Sequence, residues 1–173
     1  MHSVRERLRE KGWGLGQARA LATEIGGDKA AARALVVELF GEDVEVRKRA
    51  ADVARRITDR DPAPLRRYVD ELAGLLESLP VEESRTRWHL GLVVPRVAHT
   101  RMQRLRAARV MSLLAEDESN GVRCSAVEGM GTLALVEASL RDEAEALVED
   151  YLRSGTPAMK CRARHVGRLL AKA

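Results

Sequence analysis

One segment of this chain recurs along its length, and this repeat constrains the fold more than any other feature of the sequence. The clearest copy is the stretch 46–57, in which Val46 and Arg47 open an Ala-rich apolar pattern. A cationic residue returns at the matching place in later copies, at steps of 40, 36 and 37 residues, as Arg47, Arg87, Arg123 and Lys160. A period in this range is typical of stacked helical hairpins, which bury their apolar faces against each other.

The residues around each recurring cation predict one buried stripe per copy. The positions one before the cation and three, six and ten after it are nearly always apolar, as in Val46, Ala50, Val53 and Ile57. At about 100° per residue, these positions fall within roughly 60° of one another on a helix. The positions one, five, eight and twelve after the cation lie on the opposite side of the helix and are predicted to face outward.

The rest of the chain favours an all-α fold. Aromatic residues make up only 3% of the sequence, so the core must be built mainly from Leu, Val and Ala. No strand pattern competes, and glycine and proline breaks divide the chain into ten predicted helices, which we expect to pair into five hairpins. No long Gly/Ser linker interrupts residues 1–173, so a single domain is expected.

Charge and cysteine content indicate a class of protein without defining a ligand. The 30 cationic and 26 acidic residues give a net charge of +4, which is not by itself a nucleic-acid footprint. Two cysteines do not make a secreted disulfide framework. The N-terminus lacks the apolar run of a signal peptide, and the longest apolar run, 90–95, is too short to cross a bilayer. A cytoplasmic protein without membrane contact is expected.

The pattern Val-Arg-x-x-Ala early in the second helix of a hairpin resembles the HEAT-repeat (armadillo-like) family of α-solenoids. The resemblance covers residues 43–173 well and 1–42 loosely, where Ala18 and Arg19 open a degenerate first copy. It implies a right-handed α-solenoid of about five stacked helical hairpins, with the motif-bearing helices lining a concave binding face. The family also places an Asp six residues before the Arg to build a ladder between repeats. Here only Asp117 holds that position, so we expect the recurring cations to brace the stack through an incomplete ladder.

The outward positions of the repeat suggest a protein-binding surface. In the first copy they are Lys48, Asp52, Arg55 and Asp59, an ordinary solvated face, whereas the second copy has Trp88, Leu92, Pro95 and His99. We expect a non-catalytic scaffold that binds a partner helix or peptide on the concave face. Its expected contact residues are Trp88, Leu92, His99, Cys124, Leu135 and His165. The alternative is that this helix is apolar all round because neighbouring helices or an oligomer cover it.

Nucleic-acid binding is the alternative function, because DNA glycosylases share HEAT-like repeats. The basic blocks 101–109 and 160–172 could contact phosphates through Arg104, Arg109, Arg164, Arg168 and Lys172. Against this interpretation, block 116–155 between them holds ten acidic and three cationic residues. In addition, Leu92 rather than a carboxylate follows Trp88 by one helical turn.

No catalytic or metal site is predicted. His2, His89, His99 and His165 lack metal-ligand spacing, and no glycine-rich phosphate loop has a strand–turn–helix setting. Cys124 and Cys161 are expected on successive inner helices, too far apart for a disulfide. We therefore expect no enzyme, metal or cofactor. A regulatory or lyase-type subunit is a third possibility that only a partner could distinguish.

Overall fold

The computed structural model describes residues 2–173, which form ten α-helices and no strand. The all-α prediction is confirmed. Two short 3₁₀ segments, Ala63–Tyr68 and Ala138–Leu140, precede α5 and α9. The helices are α1 (Val4–Leu8), α2 (Leu15–Ile25), α3 (Lys29–Leu39), α4 (Val44–Arg60), α5 (Val69–Ser78), α6 (Ser84–Val97), α7 (Arg101–Leu114), α8 (Asn120–Ala134), α9 (Arg141–Ser154) and α10 (Pro157–Lys172).

Short polar side chains set the beginnings of several helices. Asp28, Ser119 and Thr156 each accept a hydrogen bond from a backbone N–H in the first turn that follows. Asp43 does the same for α4, accepting from the N–H groups of Glu45 at 3.0 Å and Val46 at 3.1 Å.

The helices pack in a regular order. The even-numbered helices contact one another in sequence, α2 with α4, α4 with α6, α6 with α8 and α8 with α10. From α3 onward, each odd-numbered helix also packs on the even-numbered helix that follows it. Helix α1 departs from this pattern and packs mainly on α3. Every position of the predicted apolar stripe is buried in all four copies, because the stripe faces these neighbours.

Small residues allow the even-numbered helices to approach closely. A Cβ atom placed on Gly129 of α8 would lie 2.8 Å from Pro95 Cγ and 3.0 Å from the carbonyl oxygen of Gly91, both on α6. One on Gly131 would lie 2.6 Å from Val166 Cγ1 of α10. All three distances are shorter than ordinary van der Waals contact, so these positions exclude a larger side chain.

Two of the recurring arginines, Arg47 and Arg87, tie successive copies together. Arg47 donates from Nε to the carbonyl of Leu39, at 3.1 Å, and from Nη1 to both carboxylate oxygens of Glu83, at 2.7 and 2.8 Å. One copy later, Arg87 makes the matching carbonyl bond at 2.9 Å and pairs with Asp117. Each arginine therefore reaches an acid that precedes the cation of the next copy. Glu83 supplies the acid at this joint, where the position six residues before Arg87 holds Val81 instead of the Asp of the family pattern.

Within residues 2–173, none of the helices combines the length and the apolar character needed to cross a lipid bilayer.

Candidate functional site

The structure buries the middle of the surface that the sequence predicted to be an apolar groove. Only 7% of Leu92 is exposed, and Pro95 is also buried. The cause is the position of α6, which lies between α4 and α8. The predicted exposure of Leu92 is therefore wrong. The alternative interpretation, that neighbouring helices cover this part of α6, is confirmed.

The other predicted partner-binding residues are accessible to different extents. His99, Leu135 and His165 are exposed, and His99 and Leu135 lie just beyond the ends of α6 and α8. Cys124 is half-buried, and burial raises the pKa of its thiol. Both cysteines are free thiols. Trp88 is half-buried and lines two surface depressions, so it is the predicted residue best placed for a ligand.

The larger depression lies between the loop before α2, the length of α4 and the beginning of α6. We call it the Trp13–Trp88 pocket, and its volume is about 390 Å³. It combines aromatic walls with many charged groups: Trp13, Gly14, Leu15, Glu45, Lys48, Arg49, Asp52, Arg55, Arg56, Arg85, Trp88 and His89. Five cationic side chains and two carboxylates share this small volume, so the pocket carries an excess of positive charge.

Aromatic rings hold several of the guanidinium groups in place. The Trp88 ring lies against the His89 ring, with centroids 4.4 Å apart and planes inclined by 33°. The guanidinium carbons of Arg55 and Arg85 each lie 5.7 Å from the Trp88 centroid, and that of Arg49 lies 5.3 Å from the Trp13 centroid. At these distances the ring quadrupole attracts the cation. The tryptophans therefore position the charged groups as well as forming the walls.

Two carboxylates pair with four of the five cations, each carboxylate being shared by two of them. Asp52 lies 2.9 Å from an Arg55 nitrogen and 3.1 Å from Arg56 Nε. Glu45 likewise pairs with two other cations of the pocket, Lys48 at 2.7 Å and Arg49 at 3.2 Å. Arg85, which belongs to α6, has no carboxylate oxygen within 4.0 Å of its guanidinium among residues 2–173. It is exposed to solvent and is the one cation of the pocket that no carboxylate of the described residues contacts.

His89 is a neutral member of this pocket. Burial lowers the pKa of its imidazole to about 4, and the charges of Arg55 and Arg85 act in the same direction, while Asp52 opposes them. Its Nδ1 accepts a hydrogen bond from Arg55 Nε at 3.2 Å. Because a guanidinium can only donate, the neutral ring carries its proton on Nε2. His89 therefore presents an N–H donor and no charge at neutral pH.

The sequence did not single out most of this pocket. The outward residues of the first copy, Lys48, Asp52 and Arg55, were predicted to form an ordinary solvated face. In the structure they are half-buried, because Trp13 and Trp88 flank them from either side. Finding the pocket required comparing the outward residues of neighbouring copies with each other, and not only within one copy. The carboxylate that the sequence lacked one turn after Trp88 is supplied to the same pocket by Asp52, from the adjacent helix.

The predicted phosphate-contacting residues fall into separate environments. Arg104 pairs with Glu137, at 3.5 Å, so it is partly neutralised by the acidic block. Arg109 is exposed on α7. Three cations of α10, namely Arg164, Arg168 and Lys172, are exposed and make no ion pair with a carboxylate of residues 2–173. The two basic blocks therefore do not form one continuous set of free cations.

The chain matches no protein-family model, and a search of the curated proteins finds none with a similar sequence. The fold and the pocket define an all-α protein with a cationic pocket between two tryptophans. Function must then be argued from the site, because a helical architecture alone is compatible with many activities.

Proposed function

We propose that the chain is a HEAT-like α-solenoid that acts as a non-catalytic protein-interaction scaffold. Its partner binds along the concave face that the even-numbered helices form. The observation that carries the proposal is the position of Trp88, a half-buried aromatic side chain that lines two depressions on the surface of these helices.

The packing order supports the solenoid. Each even-numbered helix contacts the even-numbered helices before and after it, as expected when hairpins stack on their nearest neighbours. The arginine contacts of Arg47 with Glu83 and of Arg87 with Asp117 join successive copies in the manner that the family ladder implies.

Trp88 has the properties of a binding hot spot. A large aromatic side chain that is partly accessible and surrounded by positioned polar groups can bury much area at a small cost in side-chain entropy. Its second depression, of about 280 Å³, is lined also by Ser84, Arg85, Ser119 and Gly121. A partner segment that crosses Trp88 can therefore enter both depressions.

Capture of partners from the native cell tests the proposal. The full chain is compared with Trp88→Ala and with Phe40→Ala, which removes another accessible aromatic side chain, 51% exposed at the end of α3. We expect Trp88→Ala to lose a partner that the parent and Phe40→Ala retain, because truncating an aromatic hot spot costs about 2 kcal/mol or more of binding free energy. Circular dichroism first verifies that both variants are folded. An identical partner list for all three proteins would contradict the proposal.

Nucleic-acid binding remains the second candidate, because three cations of α10, Arg164, Arg168 and Lys172, are exposed and make no ion pair within the described residues. The combined substitution of Arg164 and Arg168 by Gln should weaken binding of labelled duplex DNA and reduce its salt dependence. Arg66→Gln, which removes an exposed cation far along the chain from α10, is the matched control. Fluorescence anisotropy measures the DNA binding at low salt. The absence of any binding under that condition would exclude this function.

A further inference from the structure

We propose that the Trp13–Trp88 pocket receives an acidic side chain, a Glu or Asp of an extended partner segment, and that Arg85 is the group that binds its carboxylate. This inference rests on the proposed function, because it names the chemistry of the partner segment. It goes further in assigning the recognition to a charged residue rather than to Trp88 alone.

Arg85 has the right placement for this role. It lies in the first turn of α6 and lines both depressions beside Trp88. The Trp88 ring, 5.7 Å from its guanidinium carbon, limits the positions that this exposed side chain samples. Its guanidinium has no carboxylate partner within residues 2–173. A planar guanidinium offers paired donors that match the two oxygens of a carboxylate.

The remaining cations of the pocket favour the same ligand without binding it directly. Lys48 and Arg49 are paired with Glu45, and Arg55 and Arg56 with Asp52. These pairs leave an excess of positive charge around Arg85, which attracts an anion to the pocket. Because each of them already pairs with a carboxylate, they contribute to the electrostatic potential, and Arg85 makes the contact.

The pocket is less suited to a nucleobase or a polyphosphate. The rings of Trp88 and His89 lie against each other, and two guanidinium groups also lie near the Trp88 ring. A stacked base would have to displace one of these groups. Glu45 and Asp52 also line the pocket, and they repel a densely charged ligand more than a single carboxylate.

The two depressions indicate an extended segment rather than a small acid. They share Arg85 and Trp88, and the other residues of the smaller one, Ser84, Ser119 and Gly121, are uncharged. Successive side chains of an extended peptide point to opposite sides, so residues two apart can reach neighbouring depressions. We therefore expect an acidic side chain beside Arg85 and an uncharged side chain on the far side of Trp88.

Selection from a library of random peptides on the immobilised full chain tests the inference. Selected peptides are synthesised with a fluorescent label, and their affinities are measured by anisotropy. We expect a Glu or Asp at one fixed position. Replacing it with Gln, or introducing Arg85→Gln, should weaken binding about five- to tenfold. The two changes together should cost no more than either alone, because both remove the same ion pair.

Two further variants test whether the effect is specific to the guanidinium of Arg85. Arg85→Lys keeps the charge but not the paired donors, so its affinity should fall between those of the parent and Arg85→Gln. Arg66→Gln removes an exposed cation elsewhere and should leave affinity unchanged. Equal peptide binding by Arg85→Gln and Arg66→Gln would overturn the inference, as would selected peptides without a fixed acidic position, or no selected peptide at all.

The proposed scaffold function and the assignment of Arg85 are contradicted by different results. If Trp88→Ala loses its native partner while Arg85→Gln keeps it, the scaffold function stands and the assignment of Arg85 fails. If Trp88→Ala and Phe40→Ala retain the same partners, the proposed function fails as well. Labelled single- and double-stranded DNA form a further arm. If no peptide is selected but DNA binds, and Arg85→Gln weakens that binding, the ligand of the pocket is a nucleic acid and not an acidic peptide segment.

Discussion

At the scale of single residues, His89 shows how packing changes the chemistry of a side chain. The imidazole is buried and accepts a hydrogen bond from Arg55 through Nδ1. Burial, reinforced by the charges of Arg55, Arg85 and Arg56 and opposed by that of Asp52, lowers its pKa to about 4 from an ordinary 6.5. The folded protein therefore keeps His89 neutral in a pH range where the unfolded chain protonates it.

This difference predicts a pH dependence of stability. Below the unfolded pKa the unfolded state binds a proton that the folded state does not, so the free energy of unfolding falls as the pH decreases from about 6.5 towards 4. Above that window the contribution of His89 is fully present. Between pH 7 and pH 5, the parent should lose about 2 kcal/mol more stability than His89→Gln.

Urea unfolding at the two pH values measures this loss. Gln can still accept a hydrogen bond from Arg55 but cannot take up a proton. The control is His99→Gln, because His99 is exposed in the segment after α6, and this variant should follow the parent. An equal loss of stability in the parent and His89→Gln would show that the pKa of His89 is the same in the folded and unfolded states.

At the scale of helices, the small residues of α6 and α8 decide how closely the two helices pack. Gly91 meets Ser125, and a Cβ atom on Gly91 would lie 2.5 Å from Ser125 Oγ. Gly129 meets the Pro95 ring and the carbonyl of Gly91. The sequence shows these glycines within apolar helices, but it does not show which neighbour approaches each of them.

Gly129→Ala should therefore destabilise the protein, by about 1–3 kcal/mol, because the added methyl group overlaps backbone and ring atoms that have little room to move. Gly74→Ala in α5 is the matched control. Its Cβ atom would lie 3.6 Å from an Arg106 nitrogen, an ordinary contact, and alanine has the higher helix propensity. We expect Gly74→Ala to raise stability by about 0.5–1 kcal/mol. Urea denaturation of both variants tests the pair, and similar effects of the two substitutions would contradict the close packing.

At the scale of the whole molecule, Arg47 and Arg87 join copies that are distant in sequence. The side chains of Arg47 and Glu83 are 14% and 9% exposed, so their ion pair is largely shielded from water. The corresponding pair of Arg87 and Asp117 is more buried still. Removing one partner of such a pair leaves a shielded charge without compensation, which costs more than losing an exposed pair.

Glu83→Gln should accordingly lower the free energy of unfolding by about 2 kcal/mol or more. The matched control is Asp150→Asn, which removes the partner of Arg153 in an exposed pair with side chains 50% and 74% accessible. That variant should change stability by no more than about 0.5 kcal/mol. Thermal and urea unfolding provide the measurement. If both substitutions had the same small effect, the arginine contacts would not brace successive copies.

Much of the fold could be predicted from the sequence, because helix formation depends on residues that are close together in the chain. The apolar stripe at Val46, Ala50, Val53 and Ile57 repeats in every copy, and all its positions are buried. Helix caps such as Asp28 and Thr156 act on the residues that directly follow them. Helical periodicity and capping depend on residues within a few positions of each other, so the chain displays them directly.

The site could be predicted only in part, because it joins residues from different copies. Trp88 stood out as a departure from the pattern, whereas Leu92 was expected at the surface and is buried by the helices on either side. Neither Trp13 nor Asp52 showed any sign of sharing a pocket with Trp88. The repeat placed Asp52 and Trp88 at outward positions of successive copies, but it did not show that their side chains line the same pocket.

The sequence by itself determined the repeat, the helices, the buried stripe and the recurring cations, since each follows from residues close together in the chain. The tertiary structure alone decided which outward residues meet. Stacking α4 beside α6 turned an ordinary charged face and an isolated tryptophan into one cationic pocket. It also left Arg85 as a pocket cation without a carboxylate partner among residues 2–173. Charge compensation depends on which side chains are neighbours in space, and only the packed helices establish that.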